Sequence, residues 1–137
     1  MPNARSVRYT ARRGSTPGIF EPATRAEADL LRGAFAAEVA LDLKRDDFSP
    51  DLIIGHPAWG EMVFLREVFP TARQIQIGEM YYRTSGLDLG FDPEFENLPP
   101  EQPWRGHAKN AVTILSMAEA DRIVSPTKFQ AGTFRPM

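Results

Sequence analysis

The chain has 137 residues, of which 42% are hydrophobic and 25% charged, and its net charge is −2. This length and composition are typical of one folded domain and argue against wholesale disorder. The balanced charge excludes a dedicated nucleic-acid binder, and the absence of cysteine excludes disulfides, thiolate metal sites and a thiol nucleophile. A chain without cysteine fits a reducing compartment, and we expect a cytoplasmic protein.

The N-terminal segment is basic, because Arg5 and three further arginines precede the first acid, Glu21. An arginine-rich, acid-poor start is also found in transit peptides, so that interpretation stays open. The alternative, which we favour, is a short β-strand over Val7–Thr10 with basic flanks. A loop rich in glycine and proline follows, from Arg13 to Pro22.

A long helix is predicted from Thr24 to about Arg45. Thr24 and Glu27 have the spacing of a capping box, in which each side chain would bond the other residue's backbone N–H. Apolar residues recur every three or four positions and predict one buried stripe, formed by Ala28, Leu31, Phe35 and Val39.

The rest of the chain alternates between strand and helix patterns. The continuous apolar run Leu52–Gly55 predicts a strand covered on both faces. Further elements follow in order: a helix over Gly60–Phe69, a strand over Gln74–Gly78, a long loop over Arg83–Pro103, a helix over Gly106–Ala120, a strand over Arg122–Ser125 and a helix from Lys128 to Phe134. In the helix over Gly106–Ala120, the predicted inward residues are Ala108, Val112, Leu115 and Ala118. This alternation predicts an open, doubly wound α/β domain with a mainly parallel sheet.

In such a sheet, ligands bind beyond the carboxyl ends of the strands. Three groups of residues follow the predicted strands: His56, Trp59, Gly60 and Glu61; Glu79, Tyr81, Tyr82 and Arg83; and Ser125, Thr127 and Lys128. Because parallel strands end at the same edge, we expect His56, Glu79 and Ser125 to converge on one rim.

Each candidate also has a purely structural interpretation. His56 fits a general acid, a general base or a phosphate partner, or else a strand-end histidine bonded to a backbone carbonyl. Glu61 would favour a helix dipole whatever its function, although the helix start at Gly60 could also receive a phosphate. Glu79 fits a carboxylate bonded to a sugar hydroxyl, or a solvated turn. His107 fits a residue on a helix surface.

Known cofactor and metal motifs are missing from the sequence. The two histidines have no partner at a fixed metal-binding spacing, and the acids around Asp88 do not match a calcium loop. Neither a GxGxxG nor a GxxxxGK[ST] phosphate loop occurs, and there is no GxSxG serine elbow. We therefore expect neither a metal nor a cofactor.

Four stretches together are characteristic: Pro50–Glu61, Gly78–Arg83, Gly90–Phe95 and Ala120–Thr127. In combination they resemble the N-terminal domain of a bacterial subgroup of family 4 glycosyltransferases, and the resemblance runs from about Arg5 to the end. It implies one Rossmann-like half of a GT-B enzyme, whose two domains enclose a cleft. Such enzymes transfer a sugar from a nucleotide-sugar with retention and without an obligatory metal.

The resemblance also implies roles for particular residues. His56 and the Trp59–Glu61 turn would face the cleft, and Ser125 and Thr127 would border the domain interface. Glu79 lies where many relatives place a histidine near the reacting sugar, so we expect His56 and Glu79 to be catalytic. The substrate-binding set would be Trp59, Gly60, Glu61, Tyr81, Tyr82, Arg83, Ser125 and Thr127.

Compared with that family, the chain corresponds to a single partial domain over residues 1–137. The family's opening strand and its glycine-containing loop have no counterpart, and we expect the nucleotide-sugar domain to lie outside these residues. The chain would then form the acceptor side of the cleft. The acceptor would be a sugar or a lipid-linked molecule in polysaccharide biosynthesis. The full-length enzyme could associate peripherally with a membrane. The alternative is a non-catalytic module that binds a sugar or a protein.

The Leu52 strand has one flank without a partner in this comparison. An exposed apolar edge invites association with another chain. We therefore expect the isolated chain to be marginally stable and soluble mainly as an oligomer or when extended.

Overall fold

A computed structural model describes residues 4–83, 87, 92, 94 and 99–134 of the chain. The helices are α1 (Thr24–Arg45), α2 (Leu65–Val68), α3 (Gln102–Ala118) and α4 (Lys128–Thr133), and the strands are β1 (Leu52–Gly55), β2 (Arg73–Ile77) and β3 (Arg122–Val124). Two 3-10 turns, Glu21–Ala23 and Pro57–Trp59, precede α1 and follow β1. No helix in this described part is long and apolar enough to cross a membrane.

The described strands form one parallel sheet in the order β1-β2-β3. Ile54 pairs with Ile75 across the first ladder, and Ile77 pairs with Val124 across the second. This arrangement confirms the α/β class and the parallel sheet. It also brings the carboxyl ends of all three strands to one edge.

The two faces of the sheet differ in what covers them. On one face, Gln74 and Gln76 are fully buried beneath α3, and the Gln76 amide donates to the Ser116 carbonyl at 2.7 Å. On the other face, the aliphatic side chains are largely exposed, with Ile54 at 60% and Val124 at 52%. The prediction that the Leu52 strand is covered on both faces is therefore wrong for the described residues, because no described helix packs over Leu52 and Ile54.

The core lies between α1, α2 and the covered face. Its buried apolar residues are Ala37, Ala40, Val68, Phe69 and Ala72. Ile53 of β1 packs against them. The buried stripe of α1 runs through Asp29, Gly33, Ala37 and Ala40, while Ala28, Leu31 and Val39 of the predicted stripe are only half-buried. The stripe is rotated because the small residues let the helix approach its neighbours closely.

The N-terminal expectations are partly wrong. Val7–Thr10 forms no strand, and this segment instead lies along the rest of the fold, where Tyr9 bonds Glu61. The bounds of α1 are confirmed, but the capping box is not present. The preceding 3-10 turn runs directly into α1, so Thr24 already has helical angles (φ −52°, ψ −44°). Glu27 accepts hydrogen bonds from the backbone and hydroxyl of Thr16 instead.

Two further helices differ from expectation. The predicted Gly60–Phe69 helix is reduced to turns followed by the short α2. The predicted stripe of α3 is wrong at Leu115, which is 50% exposed, and at Ala118, which is exposed. The helix instead buries Asn110, Val112, Thr113, Ser116 and Met117. Among these polar residues, Asn110 bonds the Tyr82 backbone, and the Ser116 carbonyl accepts from Gln76 of β2.

The long loop predicted over Arg83–Pro103 falls mostly outside the described residues. Its last two residues, Gln102 and Pro103, belong to α3, which begins earlier than predicted.

Candidate functional site at the carboxyl edge of the sheet

His56 and Glu79 meet where β1 and β2 end. His56 precedes Pro57 and is extended (φ −104°, ψ 127°), as expected of a residue before proline. Its Nε2 lies 3.1 Å from a carboxylate oxygen of Glu79, and its Nδ1 accepts the backbone N–H of Ala58 at 3.2 Å. An accepting Nδ1 places the proton of the neutral ring on Nε2, which donates to Glu79. The local backbone therefore fixes both the orientation and the tautomer of the imidazole.

The turn after His56 is held against α1 by glycines. Gly60 has a positive φ of 97° and packs on the backbone of Asp29, where any side-chain carbon would collide. A carbon added at Gly33 would collide with the Gly60 carbonyl in the same way. The two glycines therefore let the Trp59–Glu61 turn lie directly on α1.

Charged groups surround this turn. Arg32 donates to the Trp59 carbonyl at 2.8 Å and pairs with Asp29, which also pairs with Arg25 at 3.2 Å. Asp29 is completely buried, and its Oδ2 has no hydrogen-bond partner among the residues that the structure describes. Burial raises the pKa of Asp29, although the surrounding cations oppose that change.

Glu61 is bound by the N-terminal segment. The Tyr9 hydroxyl donates to its carboxylate at 2.5 Å. Burial, reinforced by this hydrogen bond, raises the pKa of Tyr9 to about 12. Glu61 thus serves as the docking point for the segment that the sequence had predicted to be a strand.

Trp59 and Lys109 form the outer part of the site. Trp59 is 47% exposed, and its ring centre lies 6.2 Å from that of His56. The Lys109 ammonium of α3 lies 5.0 Å from the Trp59 ring centre and 5.3 Å from that of Tyr82, and the Arg25 guanidinium lies 5.1 Å from Trp59. Burial lowers the pKa of Lys109, and Arg25 and Arg32 lower it further while Asp29 opposes them.

The comparisons with known proteins give one match. The family described as "Glycosyl transferase family 4 group" matches residues 1–137. The chain belongs to this family. No curated protein and no solved structure matched the chain.

The tyrosines of this glycosyltransferase domain line the same edge. The backbone N–H and carbonyl of Tyr82 both bond the side-chain amide of Asn110, at 3.0 and 2.7 Å. The Tyr81 N–H donates to Thr133 of α4 at 2.8 Å, and the Arg83 guanidinium lies 6.0 Å from the Tyr81 ring centre. These bonds tie the segment after β2 to α3 and α4.

Ser125 and Thr127 lie at the same edge but farther along. The pairing of Ile77 with Val124 places Ser125 level with the residue after β2. Thr127 caps α4 by accepting the Gln130 N–H at 3.1 Å, which is a structural role. Within the described residues, no hydrogen bond joins either side chain to the His56–Glu79 pair.

Sequence reasoning missed the charged residues around Trp59, which include Arg32 as well as Arg25, Asp29 and Lys109. Arg25 and Asp29 lie on α1, where the predicted stripe was rotated, and Lys109 lies on α3, where it was also misplaced. The only available signal was the four-residue spacing from Lys109 to the buried Thr113, which puts both on one side of the helix.

The amino edge of the sheet in this glycosyltransferase domain has a pocket. A pocket of about 280 Å³ opens beside Ser49 and Thr71, near the amino ends of β1 and β2, which is the edge away from His56. In the described part of the chain, no three acidic or histidine side chains are grouped closely enough to hold a metal ion.

Proposed function

We propose that this chain forms the acceptor side of the cleft in a retaining glycosyltransferase that uses a nucleotide-sugar. The observation that carries the proposal is the His56–Glu79 pair, placed where two parallel strands end and next to the exposed Trp59. That position is where open α/β sheets bind ligands. Family membership supports glycosyl transfer, and the resemblance noted above supports retention and the acceptor-side role.

In this proposal Glu79 is the group that touches the sugar. Its side chain is 59% exposed, whereas that of His56 is 26% exposed. His56 holds the carboxylate through Nε2–H, so the other Glu79 oxygen is available to accept from a sugar hydroxyl. An aromatic and polar surface would support the bound sugar: Trp59, Gly60, Glu61, Tyr81, Tyr82, Arg83, Ser125 and Thr127.

The donor would be held elsewhere in the protein. Retaining transfer requires stabilisation of the leaving diphosphate, and the chain contains no glycine-rich phosphate loop. We therefore infer that a second domain binds the nucleotide-sugar and that the transferred unit is a hexose. A cytoplasmic enzyme that extends a sugar or lipid-linked acceptor for polysaccharide synthesis fits this arrangement.

The test is sugar transfer by the natural polypeptide that carries these residues. Radiolabelled UDP-glucose and GDP-mannose are supplied with a mixture of oligosaccharide and lipid-linked acceptors, and the anomeric configuration of the product is read by NMR. We expect transfer with retention. Glu79→Gln and His56→Gln should each lower kcat/KM by about 10²-fold, the usual contribution of such a group.

Matched controls come from the same chain. His107 is the second histidine and lies exposed on α3, and Glu119 is exposed just after that helix, so His107→Gln and Glu119→Gln should leave the rate unchanged. Unchanged rates in folded Glu79→Gln and His56→Gln variants would remove both residues from the mechanism. Sugar binding without any transfer would favour the alternative, a non-catalytic binding module.

A further inference from the structure

The surface beside the His56–Glu79 pair has an unusual composition. The ring centre of the exposed Trp59 lies 5.1 Å from the guanidinium of Arg25 on α1 and 5.0 Å from the ammonium of Lys109 on α3. The cations are therefore no farther apart than the sum of their two distances to the ring. The same ring lies beside His56, so these groups border the proposed sugar site directly.

The charges around this ring do not balance. Arg25 and Arg32 share a single carboxylate, Asp29, which is buried. The other nearby acid, Glu61, accepts a hydrogen bond from Tyr9 and keeps its charge, so the three cations Arg25, Arg32 and Lys109 face two carboxylates. Lys109 has no carboxylate within ion-pair distance in the described part of the chain, and its ammonium contacts only aromatic rings.

A partly buried cation that no carboxylate contacts is costly, and Asp29, which acts on Lys109 only from beyond ion-pair distance, offsets part of that cost. A bound anion would compensate for the lost hydration of the cation. Arginine and lysine are the side chains that bind phosphates and carboxylates, the first through a planar fork and the second as a point charge. Trp59 contacts both and keeps them at the edge of the site.

We propose that the acceptor held at this surface carries an anionic group, a phosphate or a carboxylate, bound between Arg25 and Lys109. This inference rests on the proposed acceptor-side function and adds the chemical class of the acceptor. Glu79 contacts His56 and neither of the two cations, and its carboxylate repels an anion. A charged sugar is therefore oriented with its anion toward Lys109 and a hydroxyl toward Glu79.

The experiment uses tryptophan fluorescence of the 137-residue chain. The chain has two tryptophans, and Trp104→Phe removes the one on the exposed side of α3, leaving Trp59 as the reporter. In this background, glucose, glucose 6-phosphate, glucuronate and inorganic phosphate are titrated separately. We expect glucose 6-phosphate or glucuronate to bind about tenfold or more tightly than glucose, as a charge-assisted bond allows. Comparison of the two charged sugars identifies the phosphate or the carboxylate as the preferred anion.

Variants test the residues named. Lys109→Gln and Arg25→Gln should each abolish the preference for charged sugars, whereas Lys109→Arg should retain it. Arg45→Gln, which removes an exposed arginine from the last turn of α1, is the matched control and should bind like the parent. Circular dichroism confirms that each variant is folded.

Several results would overturn the inference: equal affinity for glucose and both charged sugars, no binding of any sugar, or inorganic phosphate binding as tightly as glucose 6-phosphate. The transfer assay separates this failure from that of the proposed function. Transfer to neutral acceptors alone would retain the function and reject the anionic acceptor. Charge-dependent binding without transfer by the natural polypeptide would retain the anionic ligand and reject the proposed transferase function.

Discussion

The two edges of the sheet are built differently. At the amino edge, the Asp121 carboxylate accepts from Arg66 and from the Gln74 N–H, both at 2.7 Å, and Arg66 also donates to the carbonyls of Ala72 and Glu119. At the carboxyl edge, Asp29 has an unpaired buried oxygen and Lys109 has only aromatic neighbours in the described part of the chain. Unpaired buried side-chain atoms are found at both edges of the described part, since the Gln74 amide at the amino edge has no partner there either. The edges differ in their ion pairs: Arg66 contacts a carboxylate at the amino edge, whereas no carboxylate contacts Lys109 at the carboxyl edge in the described part of the chain. We therefore expect the amino edge to serve folding and the carboxyl edge to serve function.

The largest effect is expected from Gly60→Ala at the carboxyl edge. The new side chain would collide with the Asp29 backbone and occupy a left-handed conformation. We expect the free energy of unfolding to fall by roughly 2–5 kcal/mol, measured by urea unfolding. Gly106→Ala is the control, because it has open space on α3 and should stabilise by up to about 1 kcal/mol. An unchanged midpoint for Gly60→Ala would mean that the turn does not lie on α1.

The next effect tests the amino edge. Arg66→Met would leave the carbonyls of Ala72 and Glu119 and the Asp121 carboxylate without their donor. We expect a loss of about 2–3 kcal/mol in urea unfolding. Arg45→Met removes a fully surface-exposed pair with Asp42 and should change stability by less than about 0.5 kcal/mol. If both variants behave alike, the amino edge is not a stabilising network.

A smaller effect is expected where the N-terminal segment docks. Tyr9→Phe removes the hydrogen bond to Glu61 and should lower stability by about 1 kcal/mol. Absorbance titration gives a second measurement, since Tyr9 should ionise near pH 12 and this late step should vanish in the variant. A late step that persists in the variant would show that Tyr9 is not its source.

The smallest expected effect is a difference in how Asp121 and Asp29 make stability depend on pH. The pKa of Asp121 is lowered, first by its hydrogen bond from Arg66 and then by that from Gln74, so its stabilisation is present above the ordinary aspartate pKa and is lost as the pH falls. The pKa of Asp29 is raised by burial, so its contribution has the opposite sign: it favours the fold at low pH and is lost as the pH rises above about 4. Unfolding measured from pH 3 to 7 should therefore show a shallower rise for Asp121→Asn and a steeper one for Asp29→Asn. If the two substitutions change the slope of the parent protein in the same direction, the contrast between the edges is contradicted.

The sequence predicted the features that depend on local patterns. The bounds of α1, the three strands and the extended His56 before Pro57 are confirmed. The meeting of His56 and Glu79 followed from their positions after strands that proved to be parallel. What these side chains do stays a prediction.

The features that depend on packing between distant elements were not predictable. The rotations of α1 and α3 are set by Gly33 lying on Gly60 and by the glutamines of β2, and neither contact has a local signature. Lys109 therefore could not be placed beside Trp59 from periodicity alone. Thr24 does not cap α1 because the preceding 3-10 turn runs directly into the helix and gives Thr24 helical angles.

The exposed face of the sheet affects how the folded state can be assayed. Leu52, Ile54, Ile77 and Val124 are each between 39% and 60% exposed. A dye such as ANS, which fluoresces on apolar surface, should bind this face in the native protein. ANS fluorescence alone would therefore not identify a molten globule here, and near-ultraviolet circular dichroism, which reports fixed aromatic packing, is the suitable measurement.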